Sequence, residues 1–227
     1  MSWSSGKDST LALHRARSAG DLNVVGLMTT LNSQADRVAM HAVRRQLLEA
    51  QAASLGLPVH VIELPWPCSN EAYEEIMSAA VAAAVEAGVE HVVFGDLYLE
   101  DVRQYRERVL AGTGLSPVFP LWRAPTRELA LEMISCGIRA VITCVDPSQA
   151  PREIAGRWYD EALIAELPSS VDPCGENGEF HTFVIDGPGF AHRLGVSLGE
   201  IVERDGFVFA DVLAATSPDT SSRHSDA

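Results

Sequence analysis

The residues best suited to chemistry stand at the start of the chain, in Ser2-Trp3-Ser4-Ser5-Gly6-Lys7-Asp8-Ser9-Thr10. Small hydroxyl side chains and a glycine let the backbone curl tightly and bring several N–H groups to one point. The apolar-periodic run that follows, Leu11 to Arg17, predicts a helix whose unpaired N–H groups and positive dipole end add to them. Such an arrangement holds phosphate. Lys7 adds a mobile cation, and Ser4, Ser5 and Ser9 add hydroxyl donors. Asp8 can hold magnesium directly or through water, and it can equally cap the helix. The stretch is not a Walker A loop, which needs a further glycine ahead of Gly6 and a Ser or Thr directly after the lysine.

Other polar groups recur after apolar runs. Thr29-Thr30-Leu31-Asn32 follows the run Asn23 to Met28, with Arg37, His41 and Arg44 beyond it. Gly95-Asp96 follows Glu90 to Phe94. Glu100, Arg103 and Arg106 come next, at helical spacing that would serve substrate or pyrophosphate contact or an internal ion-pair network. Glu176-Asn177-Gly178-Glu179 puts two acids and two turn formers in one tight loop, with His181 close behind; its plainer reading is a turn between subdomains.

The elements that must position these groups alternate. Strands are predicted over Asn23–Met28, Val59–Leu64, Glu90–Phe94 and Arg139–Val145. Helices are predicted after the opening loop, over Val38–Leu55, from Ser69 to Gly88, over Glu100–Leu110 and from a Thr126 cap to Gly137. Strand and helix in turn, with short connections, call for an α/β fold: a parallel sheet with helices on both faces. Ligands in such folds sit beyond the carboxyl ends of the strands. The polar clusters fall at that edge, so Thr30, Asn32, His41, Gly95 and Asp96 become candidate nucleotide contacts. Only Met1-Ser2-Trp3 precede the opening loop, fewer than a central strand needs; the expectation is a reading frame that starts further upstream rather than a vestigial strand. From Pro147 the texture changes to a helix over 152–166, a turn-rich stretch to Gly187, and β-like runs at Phe180–Ile185 and Phe207–Val212. The expected organisation is a nucleotide-binding domain over 1–146, a smaller C-terminal α+β subdomain over 147–212, and a disordered tail over 213–227.

Composition narrows the function. The 227 residues can bury a real core. No apolar run is long enough for a bilayer and no signal peptide precedes the loop, so the expectation is a cytoplasmic protein without membrane contact. A formal charge of −14 argues against broad nucleic-acid binding, although Lys7, Arg37, Arg44, Arg103 and Arg106 could still line a local basic pocket for ATP. The four cysteines, Cys68, Cys136, Cys144 and Cys174, form no CxxC pair and no zinc spacing.

The opening loop resembles the SGGxDS loop of the PP-loop ATP pyrophosphatases, with Ser5 in place of the first glycine. Together with Phe94-Gly95-Asp96, Leu99 to Arg106, Phe119-Pro120-Leu121-Trp122 and Cys174 to Thr182, the chain resembles the diphthine–ammonia ligase branch of that group over about residues 2–187. The resemblance implies a PP-loop, Rossmann-like fold and an ATP-dependent amide-forming ligase. The loop would grip the β and γ phosphates of ATP with Mg2+ while a carboxylate, on a small molecule or a protein, attacks the α phosphorus. Pyrophosphate would leave, and ammonia would open the acyl adenylate. Lys7, Asp8, Glu176 and Glu179 would be catalytic; Ser4, Ser5, Gly6 and Ser9 would bind ATP; and Glu100, Arg103, Arg106, Asn177, Gly178 and His181 would face the acceptor. Glu179 or His181 could take the proton that ammonia loses. Members acting on diphthine carry a glycine where Asn177 stands, which leaves the acceptor open. A nucleotide-binding regulatory module without turnover and a tRNA-thiolating enzyme are the alternatives, and a homodimer is compatible with the sequence.

Overall fold

Local sequence accounts for most of the elements in the computed structural model, which describes residues 1–38 and 42–215. His41 and the tail from Thr216 onward lie outside the described residues. The first helix, α1 (Lys7–Ala19), buries Leu11, Ala12, Leu13 and Ala16 and ends at Gly20, whose φ of 76° suits a residue without Cβ. Strand β1 (Leu27–Asn32) runs later than the sequence suggests. Leu27, Thr29 and Leu31 are its buried positions and Met28, Thr30 and Asn32 face the other way, so the residues expected as a loop continue the strand. A two-residue strand, β2 (Arg37–Val38), turns back against β1, and α2 (Arg45–Leu55) therefore starts well after Val38.

Strand β3 (Val59–Leu64) falls as expected, and α3 (Asn70–Glu86) starts where the Ser69 hydroxyl accepts from the Ala72 N–H at 3.2 Å. Next come β4 (His91–Val93), α4 (Glu100–Leu110) and β5 (Ser116–Val118). The last had no strong signal, because Pro117 sits in its middle; proline is tolerated there since β5 is an edge strand. Helix α5 (Thr126–Ser135) begins at Thr126 itself, with Pro125 in the cap position. Strand β6 (Arg139–Val145) is followed by a 3-10 turn over Arg152–Ile154 and by α6 (Glu161–Glu166). The single helix expected over 152–166 is thus split, by Trp158 bridging to Val141 and by Asp160 capping the Leu163 N–H at 2.8 Å. Strands β7 (Phe180–Asp186), β8 (Val196–Arg204) and β9 (Phe207–Ala214) complete the chain; β9 includes residues 213 and 214, which the expected tail claimed.

The parallel sheet depends on the three residues before the loop. Trp3 N–H donates to the Met28 carbonyl at 2.8 Å, Met28 N–H to the Met1 carbonyl at 2.8 Å, and Ser2 N–H to the Val93 carbonyl at 2.9 Å. Met1–Trp3 therefore occupy a strand position between β1 and β4 and join the β1–β3 pair to the β4–β5 pair, both parallel. One face packs Leu27 and Leu31 on Leu47 and Leu48 of α2; the other packs Val92 and Phe94 on Val81 of α3 and Leu110 of α4. This is the α/β architecture, with helices on both faces, that the alternation predicts. Strand β6 departs from it. Instead of extending the parallel sheet it pairs antiparallel with both β7 and β9, in a sheet ordered β7-β6-β9-β8. Hydrogen bonds consequently run across residue 146, where the sequence suggested a boundary. Among the described residues no helix is long and apolar enough to cross a membrane.

The two layers meet at Gly95. A Cβ there would stand 3.0 Å from the backbone carbon of Asp8 and 3.0 Å from the Ser9 nitrogen, so the loop after β4 can lie against the start of α1 only without a side chain. Gly95→Ala should lower stability by roughly 1–3 kcal/mol through this overpacking, read as a drop of several degrees in the calorimetric melting temperature. An unchanged melt would show that the approach is looser than described.

Candidate functional site

The start of α1, the ends of β1 and β4, helices α3 and α4 and the loop before β7 enclose a cleft of about 550 Å3. Its floor is the opening loop. Ser9 Oγ and Thr10 Oγ1 each donate to the Gly6 carbonyl at 2.9 Å, and Ser4 Oγ lies 3.2 Å from Ser9 Oγ and accepts from the Gly6 N–H at 3.3 Å. Strand β7 clasps the loop from the other side, with Lys7 N–H donating to Thr182 Oγ1 at 3.1 Å and Val184 N–H to the Ser5 carbonyl at 3.0 Å. Ser5 has φ 70°, in the left-handed region. A glycine takes that conformation without cost, which explains the glycine of the SGGxDS pattern at this place. The N–H groups of Asp8 and Ser9, in the first turn of α1, have no acceptor within the helix, and both residues line the cleft.

Lys7 is not the mobile cation its type suggested. It is 1% exposed, and its ammonium donates to Asp8 Oδ1 at 3.1 Å, to Asp8 Oδ2 at 2.9 Å and to the Cys174 carbonyl. It also lies over the Tyr159 and Phe180 rings, at 5.4 and 5.3 Å. Burial works against the charge, but Asp8 and the surrounding acceptors outweigh it and hold the Lys7 pKa above its usual value. Asp8 shares two oxygens with one ammonium, keeps lone pairs free on both and stays partly open to the cleft.

Opposite the loop stand three more charged groups. Glu176 Oε1 accepts from the Leu97 N–H at 2.7 Å and the Tyr98 N–H at 3.3 Å, which ties the loop after β4 to the loop before β7. Burial raises its pKa to about 7, with the neighbouring Asp8 and Asp96 charges adding to the effect and the two N–H donors opposing it. Asp96 is likewise raised by burial, and Arg106 Nε reaches it at 3.4 Å while stacking over Phe94. Thr30, Gly95, Gly178 and His181 complete the wall.

Several candidates are spent elsewhere. Asn32 Oδ1 accepts from the Gln34 and Ala35 N–H groups at 2.9 and 3.0 Å and closes the β1–β2 turn. Glu100 pairs with Arg123, while Arg103 pairs with Glu107 at 2.7 Å and stacks on Phe119 and Trp122. Arg37 and Arg44 both bind Asp211. The basic pocket foreseen from five cations therefore reduces to Lys7 and Arg106, each already facing a carboxylate. Glu179 is 2% exposed and turned into its own loop, accepting from Asp172 N–H, Asn177 N–H and Asn177 Nδ2, each at 2.9 Å. Asn177 is exposed and accepts from the Tyr98 hydroxyl at 3.1 Å.

Sequence reasoning missed the loop's anchors. Thr182 closes the Cys174 to Thr182 stretch, and nothing in its residue type signals the bond it accepts from the Lys7 N–H. Gly175 is indispensable, since a Cβ there would come within 2.7 Å of the Phe180 carbonyl. The Cys174 contact runs through a backbone carbonyl and leaves no trace in residue type. Burial pushes the Cys144 thiol up to about 12, and it pushes the Cys174 thiol, which donates to the Thr126 carbonyl at 3.2 Å, well above its ordinary value. Reactive thiols are held low, so these two are poor thiolation nucleophiles.

Comparison with known proteins identifies the family. The chain is 27% identical to a diphthine–ammonia ligase of Danio rerio over 92% of its length and 90% of the relative's. It is 26% identical to one of Homo sapiens, covering 92% and 86%, and 29% identical to one of Bos taurus, covering 64% and 56%. The family model for the diphthamide synthase N-terminal domain matches residues 1–117, and that for the diphthamide synthase C-terminal domain matches residues 125–212. With one model covering the segment that holds the opening loop and the other the segment that holds the acid loop, the chain belongs to the diphthamide synthase family.

Proposed function

We propose that this protein is an ATP-dependent amide-forming ligase that adenylates a substrate carboxylate, releases pyrophosphate and AMP, and uses ammonia as the nitrogen donor. The observation that carries the reading is the cleft itself, where the N-terminus of α1 faces a loop bearing an acid of near-neutral pKa. Relatives over the full chain are named for ligating ammonia to diphthine. Diphthine is accordingly the first acceptor to test, with small-molecule carboxylates beside it.

The chain's own residues divide the work. The backbone N–H groups at the start of α1 and the Ser4 and Ser9 hydroxyls bind and orient the β and γ phosphates. These fixed dipoles stabilise the charge that builds as the bond to the α phosphorus breaks. Magnesium fits the donors present: Asp8 and Asp96 are hard oxygen ligands on the cleft wall, and Mg2+ takes one or two carboxylates plus phosphate oxygens. Asp8 would hold it, and it would supply charge neutralisation in a cleft where Asp8, Asp96 and Glu176 outnumber Lys7 and Arg106. Glu176 is the base for the second half-reaction. As the ammonia nitrogen bonds to the acyl carbon, the acyl C–O bond to the phosphate breaks and AMP leaves; the nitrogen sheds a proton, and a carboxylate of pKa about 7 accepts it near neutral pH. Glu179, fully hydrogen-bonded within its loop, is a positioning residue instead.

Product analysis tests the reading. With α-labelled ATP, magnesium, ammonia and either a diphthine-bearing protein or a pool of carboxylates, label should appear in AMP together with pyrophosphate. ADP with phosphate would contradict it, and tight binding without turnover on any acceptor would favour a nucleotide-sensing module.

Glu176 gives a pH test. Its folded pKa of about 7 lies above the ordinary value of 4.5, so the native state holds an extra proton between these values. Wild-type stability should fall as pH rises from about 4.5 to 7, and Glu176→Gln should flatten that slope in urea titrations. At a fixed concentration of free ammonia, the amidation rate of the wild type should rise through about pH 7, whereas the variant should be slower by at least about a hundredfold with no such rise. A variant with wild-type rate and profile would remove Glu176 from the proton transfer.

A further inference from the structure

Behind the cleft, a buried amide ties α2 to the opening loop and to β7. Gln51, on α2, is 0% exposed and spends its whole side chain on three residues of two distant segments, the opening stretch and β7. Its Oε1 accepts from Trp3 Nε1 at 3.0 Å; its Nε2 donates to the Ser5 carbonyl at 3.1 Å and to the Val184 carbonyl at 2.6 Å. The acceptor and both donors of the amide are used, which fixes its orientation. The Trp3 indole is donor only, so it can face only the amide oxygen; the two carbonyls can face only the amide nitrogen.

The Ser5 carbonyl is the telling partner. It also accepts from the Val184 N–H at 3.0 Å, so two donors hold it toward the interior. A trans peptide is planar with its C=O and N–H opposed. Pinning this oxygen inward turns the next N–H, that of Gly6, outward, where it meets the cleft-lining Ser4 hydroxyl at 3.3 Å. That bond is long, and a phosphate oxygen would be the better acceptor. The same pinning sustains the left-handed conformation of Ser5 (φ 70°), which costs a residue with a Cβ about 1–3 kcal/mol.

We infer that Gln51 is a positioning residue for the phosphate loop: from the core of the protein it sets the Ser5–Gly6 peptide plane, and so aims the loop's N–H at the phosphate chain beyond the α phosphorus. The inference rests on the proposed binding of the β and γ phosphates at this loop. Gln51 touches no ligand; its effect reaches the cleft through one peptide group. The ligand class it governs is pyrophosphate-bearing, and ligands with a single phosphate lie outside its reach.

Calorimetric titration of the full chain with magnesium pyrophosphate, MgATP and AMP separates the outcomes. Gln51→Met keeps the volume and removes the amide. Trp3→Phe removes only the indole donor that orients the amide and keeps the aromatic packing, which guards against a variant that fails to fold. Loss of one positioned hydrogen bond predicts about tenfold weaker pyrophosphate and ATP binding for Gln51→Met and a smaller loss for Trp3→Phe, with AMP binding unchanged in both. Equal weakening of all three ligands, or none, in folded variants would overturn the inference and leave Gln51 a core amide. If Gln51→Met unfolds, Trp3→Phe alone decides, on the same criterion. A wild-type protein that binds neither pyrophosphate nor ATP would overturn the phosphate-loop reading itself, and this inference with it.

Discussion

The structure depends on one buried charge. The Lys7 ammonium sits inside the protein between the Asp8 carboxylate and the Cys174 carbonyl, with the Tyr159 and Phe180 rings above it. A charge so far from water must be paired, and removing one partner of such a pair costs roughly 3–5 kcal/mol. One partner is the lysine's chain neighbour, and the other lies 167 residues further on. Meeting the lysine's needs therefore brings the loop before β7 against the start of α1, and it sets the acid Glu176 across a cleft from the helix N-terminus.

From that contact the rest of the site follows. With Lys7 engaged inside, the charges open to a triphosphate are backbone N–H groups, the hydroxyls of Ser4 and Ser9, and Arg106 beside Asp96. Carboxylates predominate, so under the proposed function the phosphate chain would bring its own divalent cation rather than bind as a bare anion. Burial raises both Asp96 and Glu176, and Glu176, the one near neutrality, is the one held by the N–H groups of Leu97 and Tyr98. Asn177 strengthens that link with a bond to Tyr98 that a glycine could not form.

Much of this was legible in the sequence, for physical reasons that differ by element. The opening loop reads clearly because its small residues and helix start are local features. Helix α4 and strands β3 and β6 were placed correctly in extent, since each carries the periodicity of its type. Strand β1 was misplaced because Thr29, Thr30 and Asn32 are polar, although they alternate as a strand requires. Strand β8 escaped notice because a bulge between Leu198 and Ile201 breaks its alternation. The partners of β6 could not be read, because an antiparallel return from β7 and β9 leaves no mark on β6 itself. In the site, residue types nominated Asp8, Asp96, Arg106 and Glu176, which do meet. They nominated Glu100, Arg103 and Glu179 equally, and only the tertiary pairing separates these from the rest.

The claim that the Lys7 ammonium couples the phosphate loop to the acid loop is tested most directly by hydrogen exchange on Lys7→Met. The amides of Cys174 to Glu179, held in place by that ammonium, should exchange markedly faster than in the wild type, while those of β1 and β3 keep their protection. Unchanged exchange at Cys174 to Glu179 would contradict the account.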